Sequence, residues 1–244
     1  MEIWKNKVAV VTGAGGGIGA QIAEDLVKIG MTVIGFEPTI EKVAVMLDNV
    51  RDWNTSQGQL VPCTCDISKI EDLKSAFEGI VAAYGGVDLL INNAAIGKEG
   101  FICTGNIEDM KKIIDVNIKG LIACTRFAID SMKTKDFVGR IININSVCGH
   151  YMPKFSKPTV NMYIASKKAM TEFTRQLRKE FKLFNYNINV SSVSPGIVQT
   201  KIFETAGIDF IDSEYFDKTS HLTVKDVSDV ILMMLSTPHT LIPL

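Results

Sequence analysis

Six short runs rich in β-branched and other apolar residues recur along the chain: 7–12 (KVAVVT), 32–36 (TVIGF), 60–64 (LVPCT), 87–92 (VDLLIN), 140–145 (RIININ) and 188–193 (INVSSV). Their near-continuous apolar character is that of strands covered on both faces. Between them the apolar residues change to helical spacing, over 18–30, 40–52, 68–84, 106–134, 163–184 and 223–236. Two of these segments open on capping-box patterns, Ser68 with Glu71 and Thr223 with Asp226. The alternation predicts an α/β fold, a mainly parallel sheet with helices on both faces. No Pro/Gly/Ser-rich linker, repeat or low-complexity tract interrupts it, so residues 1–244 read as one domain, doubly wound through right-handed crossovers. Ligands bind such sheets outside the carboxyl ends of the strands, so candidate chemistry is sought there.

A chain of 244 residues with 46% hydrophobic residues has the material for a large core. Lys plus Arg number 26 against 27 Asp plus Glu, with no basic run, which argues against a nucleic-acid partner. The five cysteines are an odd number without a CxxC pair, so neither a disulfide framework nor a zinc site is expected. Cys63 and Cys65 invite a metal reading, but alternation along a strand accounts for them equally. The amino end lacks a hydrophobic signal core, and no stretch approaches the ~20 apolar residues of a membrane span. The expected compartment is the reducing cytoplasm.

After the first strand comes Thr12-Gly13-Ala14-Gly15-Gly16-Gly17-Ile18-Gly19, running straight into an amphipathic segment. Glycine permits positive φ and close backbone approach, and the first amides of a helix attract an anion. The turn formed by Gly13, Gly17, Ile18 and Gly19 therefore suits a dinucleotide pyrophosphate. Glu37 stands eighteen residues beyond Gly19, at the end of the second strand. A carboxylate there accepts hydrogen bonds from a ribose 2′-hydroxyl and repels a 2′-phosphate. This favours NAD over NADP, with a solvated strand-end Glu as the plainer reading and Lys42 near enough in sequence to serve a phosphate. Asp66 suits either an adenine amino group or a turn. Asn92 and Asn93 suit either a tie between strand ends bordering a cofactor or ordinary turn formation.

Tyr163 and Lys167 are four apart on a predicted helix and so share one face. A nearby ammonium stabilises phenolate, which predicts a tyrosine pKa lowered toward neutrality and a general acid/base. Ser146, at the end of the fifth strand, is placed to orient the same substrate oxygen.

Taken in order, Thr12-Gly13-x-x-x-Gly17-x-Gly19, Asn92-Asn93-Ala94, Ser146, Tyr163-x-x-x-Lys167 and Pro195-Gly196 resemble the short-chain dehydrogenase/reductase family from about residue 5 to 238. The resemblance implies a Rossmann domain and an NAD(P)-dependent alcohol dehydrogenase or carbonyl reductase. It makes Tyr163 the acid/base, Lys167 its pKa-lowering partner and nicotinamide-ribose contact, Ser146 the substrate-polarising hydroxyl and Asn117 the holder of a relay water. Asp66 becomes the adenine contact, Asn93 a cofactor neighbour, and Pro195, Gly196, Ile197 and Thr200 the nicotinamide-side contacts. It also implies a homodimer or homotetramer built through long helices. More narrowly, MEIWKNKVAVVTGAGGGIG, RIININSVCGH and VILMMLSTP resemble farnesol-dehydrogenase-like members, which handle lipophilic alcohols.

Three departures stand out. Ala95 replaces a usual Gly. Glu37-Pro38 replaces a basic residue of NADP-preferring members. The chain stops at Leu241-Ile242-Pro243-Leu244, where relatives continue into a seventh edge strand, so that strand is expected to be missing. On the substrate side, 148–162 (with His150 and Tyr151) and 201–221 should flank the nicotinamide. In the second segment Ile202, Phe203, Ile208, Phe210, Ile211, Tyr215 and Phe216 lie in a stretch of low regularity, read as an apolar lid or as a surface loop with core anchors. Met132, Met162, Met170, Met233 and Met234 read as core filler. The rival class is a non-catalytic nucleotide-binding or interaction protein, with a lipid carrier as a third option.

Overall fold

A computed structural model describes residues 1–53, 58–152, 160 and 162–237. The six expected strands all form: β1 (Val8–Thr12), β2 (Thr32–Glu37), β3 (Gln59–Thr64), β4 (Leu89–Asn92), β5 (Gly139–Ile144) and β6 (Ile188–Val193). They pair in parallel in the order β3-β2-β1-β4-β5-β6. The chain thus builds outward from β1 to one side and then, through β4, to the other. The order reverses between β1 and β4, the switch point of a doubly wound Rossmann sheet.

The helices are α1 (Gly17–Lys28), α2 (Ile40–Trp53), α3 (Ile70–Tyr84), α4 (Ile107–Ile114), α5 (Leu121–Met132), α6 (Tyr163–Leu183), α7 (Ile202–Ala206), α8 (Ser213–Lys218) and α9 (Val224–Ser236). The period of two along each strand sorts side chains between two cores. Ala9 and Val11 face one side with Ile22, Leu26, Met46, Ile231 and Leu235 of α1, α2 and α9. Val8 and Val10 face the other, with Phe77, Cys124, Ile129, Leu177 and Phe181 of α3, α5 and α6. On β5, Ile142 and Ile144 join the first core while Ile141 joins the second, so Asn143 and Asn145 point toward α6. The α9 helix is seated by polar ties as well. Ser228 Oγ donates to Asp25 at 2.7 Å, Trp4 Nε1 donates to Leu235 O at 2.9 Å, and Arg140 donates to the carbonyls of Met234 and Thr237.

Three expectations change. The single helix over 106–134 is broken by a π-helical turn, Asp115–Gly120, between α4 and α5. The wider turn carries Asn117, whose side chain is bonded outside the helix. The capping box of Ser68 and Glu71 does not form: Ser68 Oγ donates instead to Asp66 Oδ1 at 2.7 Å, and α3 starts after Lys69 without a side-chain cap. The box of Thr223 and Asp226 does form. Segment 201–221 is more regular than expected, containing α7 and α8 around an apolar cluster of Ala206, Ile208, Ile211 and Phe216. Among the described residues the sheet has six strands and none beyond β6. Residues 241–244, on which the missing-strand expectation turned, lie outside the described residues, as do 153–159 and 161 of the first substrate-side segment.

Candidate active site

The glycine turn occupies the carboxyl end of β1. Gly13 and Gly17 have φ of +69° and +54°, a region that side chains with a Cβ rarely adopt. Gly19 is constrained by space: an added Cβ would lie 2.1 Å from Gly13 O and 2.5 Å from Asn93 Nδ2. The amide of Asn93 spends both protons on this turn, donating to Thr12 O at 2.9 Å and Gly13 O at 3.2 Å. Thr12 Oγ1 accepts from the N–H groups of Asn93 and Ala94, each at 3.0 Å. Asn92, by contrast, is buried beneath, donating to Thr125 Oγ1 and Asn143 Oδ1. Of the two readings of Asn92 and Asn93, the tie between strand ends is the one these bonds make.

Glu37 is not a solvated strand-end residue: it is 2% exposed. Its Oε1 accepts from Gly15 N–H at 2.7 Å, a short charge-assisted bond. Its Oε2 is buried without a hydrogen-bond partner, with Lys42 Nζ 3.7 Å away. A fixed carboxylate with one open acceptor, beside a turn closed by backbone amides, fits the ribose and pyrophosphate of a dinucleotide. Asp66 is engaged as a turn residue, its Oδ1 accepting from Ser68 N at 3.0 Å, and Lys69 Nζ lies 3.8 Å from Oδ2. Thr200 packs against Gly17, whose Cβ would meet Thr200 Cγ2 at 3.4 Å. The loop after β6 thus reaches the glycine turn.

That loop, the end of β5 and the start of α6 enclose a cavity of about 250 Å³. Ile18, Ser146, Tyr163, Pro195, Gly196, Ile197 and Thr200 all line it, and Val147, Cys148, Val160, Val198, Ile202, Phe203 and Ile208 make the rest of its wall largely apolar. No Asp, Glu, Lys or Arg is among the described lining residues. Tyr151 lines the cavity but His150 does not; its Nε2 lies 2.8 Å from Ser194 Oγ instead.

Tyr163 opens α6, which points its hydroxyl back toward Ser146 at the end of β5. Burial, with the nearby Cys148, holds the phenol pKa above its usual value and outweighs the Ser146 hydroxyl, which favours the phenolate. The expected depression by Lys167 is therefore not seen. Lys167 is itself fully buried one helical turn on, its Nζ donating to Ile144 O at 2.8 Å and lying 5.5 Å from the Tyr163 ring. Desolvation lowers its pKa from 10.5 to about 8, which weakens it as a permanent cation. Asn117, on the π-helical turn, grips Ile96 with both ends of its amide at 2.9 Å and donates to Ser166 Oγ at 3.1 Å. Ser166 Oγ in turn donates to Tyr163 O at 2.7 Å. Gly15 and Ser166 were not singled out in sequence: each matters only through a partner more than twenty residues away, respectively Glu37 and Asn117.

Cys63 and Cys65 pack on the same core face; burial raises both thiol pKa values, that of Cys65 to about 12. No group of three His, Cys, Asp or Glu suited to a metal occurs among the described residues, and no helix among them is long and apolar enough to cross a membrane.

Comparison with known proteins agrees with this geometry. The profile of the short chain dehydrogenase family matches residues 7–209. A farnesol dehydrogenase of Aedes aegypti is 38% identical over 239 residues, covering 98% of this chain and 93% of its own. Dehydrogenase/reductase SDR family member 11 of Mus musculus is 35% identical over 241 residues, covering 98% and 92%. A short-chain dehydrogenase/reductase of Burkholderia phymatum, solved in complex with NAD, shares the fold with a TM-score of 0.83 at 23% identity, over 97% of this chain and 87% of that one. The turn, the strand-end serine and the Tyr/Lys helix thus converge in one cavity on a sheet of the matching topology, and the chain belongs to the short-chain dehydrogenase family, as an NAD(P)-dependent alcohol dehydrogenase/reductase.

Proposed function

We propose that the protein interconverts a lipophilic alcohol, farnesol-like, otherwise allylic or secondary, or steroidal, and its aldehyde or ketone, with NAD preferred to NADP. The observation that carries this reading is that Ser146 and Tyr163 line one cavity whose wall is otherwise largely apolar. The farnesol dehydrogenase relative supports the substrate class. When bound, the nicotinamide supplies or accepts the hydride. Gly13, Gly17, Ile18 and Gly19 would hold the pyrophosphate, Glu37 the adenosine ribose and Asp66 the adenine. Asn93 would border the cofactor, and Pro195, Gly196, Ile197 and Thr200 would flank the nicotinamide.

Ser146 orients the substrate oxygen toward the Tyr163 hydroxyl. As a phenol, Tyr163 is ready to give its proton to a carbonyl oxygen in reduction. In oxidation it must first ionise; the Ser146 hydroxyl favours the phenolate, and by the family resemblance Lys167 would support it. Asn117 fixes the Ile96 backbone and, through Ser166, the first turn of α6; by the family resemblance it would also hold the relay water.

Residues 1–244 act as one domain. The partner is a second copy of this chain, as a dimer or tetramer, seated on the apolar groove of Ile70, Ile114, Ile118, Ile122 and Phe127. The charges beside it are paired within the chain, Lys119 with Asp115 and Arg126 with Asp130, which leaves the groove itself apolar. Five unpaired thiols suit a cytoplasmic location. Tyr163→Phe tests the assignment against a panel of lipophilic alcohols: turnover disappears while NADH binding persists. An active Phe variant would overturn the acid/base role.

A further inference from the structure

Tyr163, Lys167 and Thr171 are four apart in succession and share one face of α6. Thr171 is two turns below the tyrosine, buried and outside the cavity. Its hydroxyl accepts from Asn145 Nδ2 at 2.9 Å and donates to Gly149 O at 3.0 Å, with Lys167 O at 3.3 Å. One side chain therefore joins the end of β5, the 3-10 turn Val147–Gly149 and α6. Ser146 stands between two of the joined points, one residue after Asn145 and three before Gly149. The fit at Gly149 is close, since a Cβ there would come 2.7 Å from both amide atoms of Asn145 and 2.8 Å from Lys167 O.

A second rung runs parallel to the first. Asn143 Nδ2 donates to Thr174 Oγ1 at 2.9 Å, and Thr174 Oγ1 donates to Met170 O at 2.8 Å. It joins the same strand to the same helix with the same residue types and comparable burial. It has no hydrogen bond to the turn that carries Ser146. The fold thus contains its own control: two Asn–Thr ties of like chemistry, of which one fixes the serine.

We infer that Thr171 is a positioning residue, holding the Ser146 turn against α6 so that the Ser146 and Tyr163 hydroxyls keep their register. This rests on the catalytic reading above and adds to it a residue that touches neither substrate nor cofactor. Small misplacements of reacting groups cost rate steeply, about a hundredfold for ~1 Å. Loss of the upper tie should therefore act on the chemical step, whereas loss of the lower should act on stability alone.

The test measures single-turnover nicotinamide reduction by a lipophilic alcohol, NADH affinity and thermal midpoint in wild type, Thr171→Val, Thr171→Ser and Thr174→Val. Both Val variants lose comparable stability because each leaves a buried Asn amide unpaired. Thr171→Val slows the step by about ten- to a hundredfold at unchanged NADH affinity, Thr171→Ser restores it, and Thr174→Val keeps the wild-type rate. Equal slowing by both Val variants, or an unslowed Thr171→Val, overturns the positioning role. A wild-type chain that oxidises no alcohol, or an active Tyr163→Phe, overturns instead the catalytic reading on which it rests.

Discussion

Replacing Glu37 with Ala separates the two jobs its carboxylate performs. Oε1 holds the Gly15 amide at 2.7 Å and so shapes the turn that either dinucleotide would use. Oε2 is buried without a hydrogen-bond partner, 3.7 Å from Lys42 Nζ, and is open to a ribose hydroxyl but not to a 2′-phosphate. Loss of the first contact weakens NADH and NADPH alike. Loss of the second affects them in opposite senses. A hydrogen bond to a charged acceptor contributes about 1.5–3 kcal/mol, so NADH should weaken about 10- to 100-fold from that term. For NADPH, a phosphate charge ~4 Å from the carboxylate is repelled by about 4 kcal/mol per unit charge at the effective dielectric of a protein surface, before screening. Removing that repulsion offsets the damage to the turn.

The assay is a fluorescence titration of wild type and Glu37→Ala with NADH and NADPH at fixed ionic strength. The NADPH-to-NADH ratio of dissociation constants should fall by at least tenfold, about 1.4 kcal/mol. Equal weakening of both cofactors would mean that Glu37 acts only through Gly15, and the argument for NAD selectivity would be wrong.

Two further outcomes are expected. Gly19→Ala places a Cβ 2.1 Å from a backbone carbonyl that cannot turn aside, so the turn must open at a cost of about 1–3 kcal/mol; wild-type NADH affinity and thermal midpoint in this variant would refute the tight turn. Lys167→Met should be more stable than wild type at pH 7 in the absence of cofactor, because a lysine whose pKa falls from 10.5 to about 8 on folding disfavours the folded state wherever it is charged. Between those values the unfolded chain binds the extra proton, so wild-type stability rises with pH by up to about 1.36 kcal/mol per unit. The advantage of Met over Lys should therefore shrink from pH 8 to 10, and a difference independent of pH would refute it. Above pH 10 the Tyr163 phenol, its pKa raised, works in the opposite direction.

The central strands β1 and β4 were legible because they are buried along their whole length and so read as near-continuous apolar runs whatever the helices do. The ends of the strands were legible through glycine spacing and through Tyr163 and Lys167, which need only local geometry. The break at Asn117 was not, since one extra residue in a π-helical turn shifts the helical phase without disturbing composition. Helices α7 and α8, of five and six residues, are too short to show a period. Ser68 and Glu71 satisfy a capping pattern, yet Asp66 two residues earlier competes for the same hydroxyl. The direction of the Tyr163 shift was also hidden. Spacing shows that an ammonium is near, but only the packed structure shows that tyrosine and lysine are both desolvated, with burial dominating each.

Four of the five buried side-chain polar atoms without a hydrogen-bond partner in the described core lie at one edge of the sheet. Glu37 Oε2, Asn92 Oδ1, Asn145 Oδ1 and Ser192 Oγ are buried without hydrogen-bond partners, and all four belong to the carboxyl ends of β2, β4, β5 and β6. The fifth, Asp88 Oδ1, lies at the opposite edge, where the Lys135 ammonium stands 2.8 Å from it and Asp88 Oδ2 accepts from the Val8 amide at 2.8 Å. Leaving a buried acceptor unmatched costs about 1–3 kcal/mol, and the desolvated Lys167 adds to the load on the same edge. Stability alone would distribute such costs or offset them with an ion pair, as at Asp88. Their concentration around the glycine turn and the Ser146–Tyr163 pair separates the sheet into an edge built for stability and an edge built for binding. Glu37, Lys167 and Thr171 sit on the second, respectively as an open acceptor, a desolvated cation and the tie that keeps the reacting hydroxyls in register.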